Sequence, residues 1–231
     1  MVLINGTNVK FLVNSVNYNG YLGSCLSNLI SSMRSQISNE DIVVVQGNSS
    51  SEGVTTETDY TLVKVRHNSM EMTALIAVID NQSNLGTLPD VWFYLHDTCD
   101  IGPNFITRLN TLDLSNDALV HWTVSNLGVY RNSTLVSNSS VIQRYKSTDN
   151  PNLQENRLNK YKCVCDKNIV YRTINCTTNL SSGSATTIST SKIYGIVKRK
   201  RLYFSELDLY KNWSNFVWPR RLDPPRFNLH P

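Results

Sequence analysis

The sequence predicts an α/β fold: a mixed, mainly parallel central sheet flanked by helices. Three observations lead there. Val91-Trp92-Phe93-Tyr94-Leu95 is an unbroken apolar run, the pattern of a strand buried on both faces. Two more apolar runs, Val9–Val13 and Ile42–Val45, flank a helical stretch in a unit of roughly 35 residues, enough for a parallel crossover. Strand and helix patterns then alternate onward to residue 124, as α/β architectures require.

Taken in order, Val9–Val13 ends in the polar loop Asn14-Ser15-Val16-Asn17-Tyr18-Asn19-Gly20. Leu22, Leu26, Leu29, Ile30, Met33 and Ile37 follow at spacings of three or four, one buried stripe of a helix. Ile42–Val45 is the second buried strand. It leads into the loop Gln46–Gly53, whose small residues permit close backbone approach to a ligand. Tyr60–Val65 alternates as a third strand. Asn68-Ser69 is then expected to cap a helix, with Glu71 in its first turn and Met72, Leu75, Ile76 and Ile79 on its apolar face. After Val91–Leu95, Pro103 suits a first helical position, with Phe105, Ile106, Leu109 and Leu112 as the buried stripe. The N–H groups starting that helix are expected to face the crevice beside Asp97 and help hold an anion.

Leu119–Val124 reads as a strand delivering Ser125-Asn126-Leu127-Gly128-Val129-Tyr130, and a short helix covers Thr134–Arg144. Beyond Ser147 the pattern weakens. Pro151–Lys162 looks helical and Cys163–Arg172 holds a strand. Thr173–Ser191, nearly all Thr, Ser and Asn, has little to bury and reads as a mobile loop. Lys192–Phe204 is a strand carrying Lys198-Arg199-Lys200-Arg201, and the chain ends in a Pro-rich tail.

The totals bound the function. A chain of 231 residues can bury a sizeable core, and 40% hydrophobic with 17% charged residues is a globular composition. The net charge of +4 suits an anionic ligand, whereas a nucleic-acid surface would need a concentrated basic stripe. Five cysteines with one close pair, Cys163 and Cys165, fit neither a disulfide framework nor a four-thiolate zinc site. The expectation is of mostly reduced thiols in a soluble, cytoplasmic protein with no signal segment and no membrane span. The Asn- and Ser-heavy composition suits a virus-encoded protein acting in a host cytoplasm. Glycosylation sequons at Asn5, Asn48, Asn81, Asn132, Asn138, Asn175, Asn179 and Asn212 carry the alternative, a non-enzymatic secreted or viral surface glycoprotein. Gly-x-Gly-x-x-Gly, a P-loop and a Gly-x-Ser-x-Gly elbow are all missing, which removes dinucleotide, P-loop and serine-hydrolase chemistry.

The sharpest chemical feature is His96-Asp97-Thr98-Cys99-Asp100, where the central strand runs out. Ligands of parallel sheets bind at the carboxyl ends of their strands. Mg²⁺ and Mn²⁺ take one or two carboxylates plus substrate phosphate oxygens. A carboxylate in that position is therefore expected to grip a divalent cation and, through it, a phosphorylated ligand.

The order of pieces resembles the catalytic domain of GT-A-type glycosyltransferases, whose nucleotide-binding half ends in a strand carrying an acidic metal motif, usually Asp-x-Asp. The likeness covers roughly residues 9 to 145. It rests on the Asn14–Gly20 loop, Val44-Val45-Gln46-Gly47, the Asn68–Asp80 helix, Leu95–Asp100 and Ser125–Tyr130. It implies a GT-A-like single domain, 1–231, with a Rossmann-like nucleotide-sugar half over 1–102 and an acceptor half over 103–231. It further implies transfer of a hexose from a UDP- or GDP-linked donor to a hydroxyl of a glycan or glycoprotein, with Mn²⁺ or Mg²⁺ at the diphosphate. Asn14, Ser15, Asn17, Tyr18, Gly47, Asn48, Asn68, His96 and Asp97 would surround the nucleotide-sugar. Ser125, Asn126 and Gly128 would lie on the sugar or acceptor side, and Lys198–Arg201 would reach the diphosphate. Asp97 and Asp100 would be the metal ligands; an inverting transferase would also need a carboxylate base, for which Asp149, Glu155 and Glu206 are the candidates, Asp149 named first. The departure is the spacing: Asp97 and Asp100 make Asp-x-x-Asp, so Asp97 is the ligand by position.

Overall fold

The computed structural model describes residues 1–16, 23–69, 72–121, 124–144, 146, 178–179, 186–193 and 197–216. The architecture is mixed α/β. Its elements are β1 (Val2–Ile4), β2 (Thr7–Val16), α1 (Gly23–Met33), β3 (Ile42–Gly47), β4 (Gly53–Thr56), β5 (Thr61–Lys64), α2 (Thr73–Asp80) and β6 (Val91–His96). There follow β7 (Cys99–Ile101), α3 (Phe105–Leu109), β8 (Ala118–His121), β9 (Val124–Arg131), α4 (Asn132–Ser137), α5 (Ser139–Gln143), β10 (Thr178–Asn179), β11 (Thr186–Ile193), β12 (Val197–Phe204) and β13 (Leu209–Phe216).

The main sheet runs β10-β8-β9-β6-β2-β3-β5-β4, with β1 paired to β2. Its middle is parallel: β5, β3, β2 and β6 share one direction. β4 and β9 close the parallel block antiparallel on either side. β2 therefore has β3 on one flank, reached through α1, and β6 on the other, reached through α2.

The apolar run of β6 has the cause expected of it, since both faces of the strand are covered. Phe93 and Leu95 join Phe11, Val13, Val44, Leu29 and Met33 on the α1 face. Trp92 and Tyr94 join Leu12, Val43, Val45, Leu75 and Ile76 on the α2 face. Phe11, Phe93 and Phe105 form a ring trio with centroids 5.4–6.0 Å apart, which ties α3 to the sheet. The Trp92 indole donates to Asn132 Oδ1 at 3.1 Å, so its polar edge is satisfied at the start of α4. Helix α2 is buried from Thr73 through Val78 because it lies between the sheet and α4–α5.

Several expectations change. The Thr173–Ser191 stretch is not simply a loop: 178–179 pairs with β8, and 186–193 pairs with β12. Cross-strand pairing with a neighbour, and the β-branched Thr and Ile of Thr186–Ile193, outweigh its low hydrophobicity. Ser125–Tyr130 is likewise not a segment leaving a strand. It belongs to β9, which is clamped between β6 and β8. The Gln46–Gly53 loop begins later than expected, after β3 has taken in Gln46 and Gly47, and leads into an edge strand, β4, that was not expected. The helix after Asn68-Ser69 starts at Thr73, behind Met72, and its cap position makes no side-chain bond. Glu71 and the expected helix and strand between 151 and 172 lie outside the described residues, as does the tail.

A second sheet, β11-β12-β13-β7, is antiparallel. It grows from β7, which leaves the end of β6 through Asp97 and Thr98. Asp208 pins it to the main body. The turn that places Asp208 at φ 52° brings its carboxylate under the chain entering α3. There it accepts the Asn104 N–H at 2.9 Å and the Tyr203 hydroxyl at 3.0 Å, while its carbonyl accepts the Gly102 N–H at 2.7 Å. Gly102 is required by this contact, because a Cβ there would overlap the Asp208 carboxyl.

Candidate functional site at the carboxyl edge of the parallel strands

Four parallel strands end at one edge, and the order of their neighbours reverses at β2. A crevice opens outside the carboxyl ends of strands where this happens. Asn14 and Ser15 lie just before Val16, the last residue of β2, Gln46 and Gly47 end β3, and His96 ends β6 with Asp97 immediately beyond. The parallel register sets Asn14 beside His96 and Ser15 beside Gln46.

Asp97 is buried, at 6% exposure, and its Oδ2 accepts the Ser15 hydroxyl at 2.9 Å. Its N–H donates to the Asn14 carbonyl at 3.1 Å, extending the β2–β6 ladder one residue past the strand. The carboxylate is therefore held in place rather than left on a wandering turn. Two of the residues expected to act together, Ser15 and Asp97, are in contact. Asp100 is carried away into β7, half-buried and opposite Tyr210. Among the described residues, no group of three or more His, Cys, Asp and Glu side chains could hold a metal ion. Asp97 can contribute one carboxylate, with the ligand's own phosphates completing a shell.

The wall over β3 has a different origin from the one expected. A Cβ on Gly47 would approach Thr73 Cγ2 at 2.9 Å and the His67 carbonyl at 3.2 Å. The Asn48 N–H donates to that same carbonyl at 3.2 Å, and the Ser49 N–H to Val65 O at 3.0 Å. Gly47 is thus small because the β5–α2 connection lies on it. Asn48, at φ 58°, and half-buried Asn68 flank this stapled loop. Ser69, expected as a cap, instead meets His67 Nδ1 with its hydroxyl at 3.0 Å, and its N–H donates to Thr73 Oγ1 at 2.8 Å.

The expectation of free N–H groups at the start of α3 is overturned. Asn104 N–H goes to Asp208, Phe105 N–H to the Gly102 carbonyl, and Ile106 N–H to Gln36 Oε1 at 3.3 Å. No anion is needed to satisfy that helix. Asn17, Tyr18 and Asp149 lie outside the described residues. Ser125 and Asn126 are fixed by backbone alone: the register Tyr94↔Gly128 runs them toward the carboxyl end of β6. Buried Gly128 is a sheet residue between β6 and β8.

His96 is held well below its ordinary value of 6.5, first by burial and then by the positive charge of Lys211. Its Nε2 lies 3.1 Å from the Tyr94 hydroxyl, and the two rings pack edge to face. At neutral pH it is an uncharged imidazole. The unfolded chain protonates this histidine near 6.5 while the folded chain resists, so folding free energy falls as pH drops below that value. Urea unfolding of His96→Gln should lose less stability than wild type between about pH 7 and about pH 5. Equal losses would show that His96 carries no such cost.

Comparisons with protein families, curated proteins and solved structures returned no match. The site must therefore be read from its own geometry. One residue that sequence reasoning passed over belongs to it. Lys211, only 3% exposed, donates from Nζ to Thr98 Oγ1 at 2.6 Å in the turn after Asp97. Its only sequence signal is a lysine in step with the buried leucine of Leu209-Tyr210-Lys211. A shallow depression of about 430 Å³ lies elsewhere, lined by Thr7, Pro89, Asp90, Leu114 and Arg131 among others. It sits at the opposite end of β2 and β6, away from every residue just described.

Proposed function

We propose that the chain is a GT-A-like glycosyltransferase that moves a hexose from a UDP- or GDP-linked sugar to a hydroxyl of a glycan or glycoprotein acceptor. The observation that carries this reading is the buried Asp97–Ser15 pair across the ends of β2 and β6, where the neighbour order reverses. An acidic group fixed at that point of a parallel sheet is what the family likeness requires, and the strand on which it stands is the central one. No helix among the described residues is long and apolar enough to cross a membrane.

In this reading Asp97 would hold Mn²⁺ or Mg²⁺, which supplies positive charge at the departing diphosphate. The Ser15 hydroxyl orients the carboxylate by its hydrogen bond to Oδ2. Asn14, Asn48 and Asn68 offer amides around the base and ribose. Neutral His96 adds a hydrogen-bonding ring without adding charge. The β9 segment around Ser125 and Asn126 serves the sugar or acceptor side. A thermal-shift screen of nucleotide-sugars with and without Mn²⁺ tests the assignment. A specific UDP- or GDP-sugar should stabilise the chain by about 2.7 kcal/mol at a hundredfold excess over its dissociation constant. No stabilisation by any nucleotide-sugar in either condition would remove the reading.

A further inference from the structure

Lys211 occupies a position where a strand of this kind should carry an apolar side chain. It stands opposite Cys99 of β7, and Leu209, two residues earlier, is fully buried on the same side of β13. An ammonium taken out of water is costly unless hydrogen bonds and an opposite charge compensate it. Lysine has three N–H donors. One goes to Thr98 Oγ1; none of the other hydrogen bonds among the described residues involves Nζ, and Lys211 is in none of the ion pairs there. Thr98, its one partner among the described residues, is neutral and half-buried, and it forms the turn directly after Asp97. Among the described residues this positive charge thus keeps two N–H groups to spare, at the carboxyl end of the central strand, where this sheet would receive a ligand.

We propose that Lys211 binds the ligand's diphosphate through its two remaining N–H groups, so that the protein itself supplies part of the cationic charge the diphosphate needs. Thr98 acts as the strut that aims the ammonium. The nature of the anion rests on the transferase reading above; the existence of an anion site rests on Lys211 alone. The chemistry is non-covalent: the ligand's phosphate oxygens accept charge-assisted hydrogen bonds from the ammonium, which shares the surroundings of Cys99 with the Asp97 and Asp100 carboxylates.

Calorimetric titration of the full chain with inorganic pyrophosphate and with UDP, both in excess chelator, tests this. Wild type should bind each without metal, Lys211→Met should weaken binding by about tenfold or more, and Lys211→Arg should retain most of it. Melting curves of the free proteins check that each variant folds. Should Lys211→Met not fold, Lys211→Gln, which keeps a polar N–H donor without the charge, takes its place. Binding by the Met or Gln variant as tight as wild type would overturn the proposal, and so would wild-type binding that appears only with Mn²⁺. Failure of the transferase reading looks different. Pyrophosphate would still bind in a Lys211-dependent way, which supports the anion site, but no nucleotide-sugar would displace it.

Discussion

Asp97→Asn is expected to lower the Mn²⁺-dependent turnover of a nucleotide-sugar by about 10²–10³-fold, the scale of removing one aimed electrostatic group from a site of charge development. The substitution is chosen for what it leaves intact. An amide has nearly the carboxylate's shape, and its oxygen still accepts the Ser15 hydroxyl, so the 2.9 Å contact across β2 and β6 survives. What disappears is the negative charge that would hold a divalent cation. Slow hydrolysis of the donor, followed by release of free sugar, gives the readout without knowledge of the acceptor. The melting temperature should move little by comparison. Unchanged hydrolysis with Asp97→Asn, in the presence or absence of chelator, would remove the metal assignment.

Phe93→Ala is expected to have the largest effect on stability, about 3–5 kcal/mol. Phe93 is fully buried in the middle of β6. It meets Phe105 edge to face at 5.4 Å and Phe11 at 5.9 Å, so it joins α3 and β2 to the central strand. Removing the ring loses its burial and leaves a cavity between elements that cannot collapse independently. For a chain of this size a loss of that order lowers the melting temperature by roughly 10 °C. The loss should also appear as a reduced urea midpoint at unchanged slope, the mark of a change in stability rather than in the denatured state. A shift below about 1 kcal/mol would mean that the ring trio is not the joint described here.

The parts of the fold that were legible in the sequence are those whose cause is local. Val91–Leu95 reads as a doubly covered strand because every side chain in it is buried. The α1 stripe from Leu26 to Met33 and the Ile42–Val45 strand follow from spacing in the same way, although the helix ends at Met33, short of Ile37, and Leu22 lies outside the described residues. Asp97 was legible as well, since a carboxylate directly after such a strand has one place to be. Features decided by distant partners were not legible. The amide at the start of α3 is satisfied by Asp208, 104 positions away. Lys211 is held by Thr98, 113 positions away. Gly47 read as room for a ligand, and its true neighbours, Thr73 and His67, come from a connection whose path no local pattern reveals. Residues 186–191 looked unstructured because their stabilisation comes from pairing with β12 rather than from their own hydrophobicity.

The most direct test of the central claim is a crystal structure of the chain with a nucleotide diphosphate, read for where the phosphates lie. This account predicts them beyond the carboxyl ends of β2 and β6, against Asp97, Thr98 and Lys211. Phosphates in the depression lined by Thr7, Asp90 and Arg131, at the far end of the same strands, would contradict it.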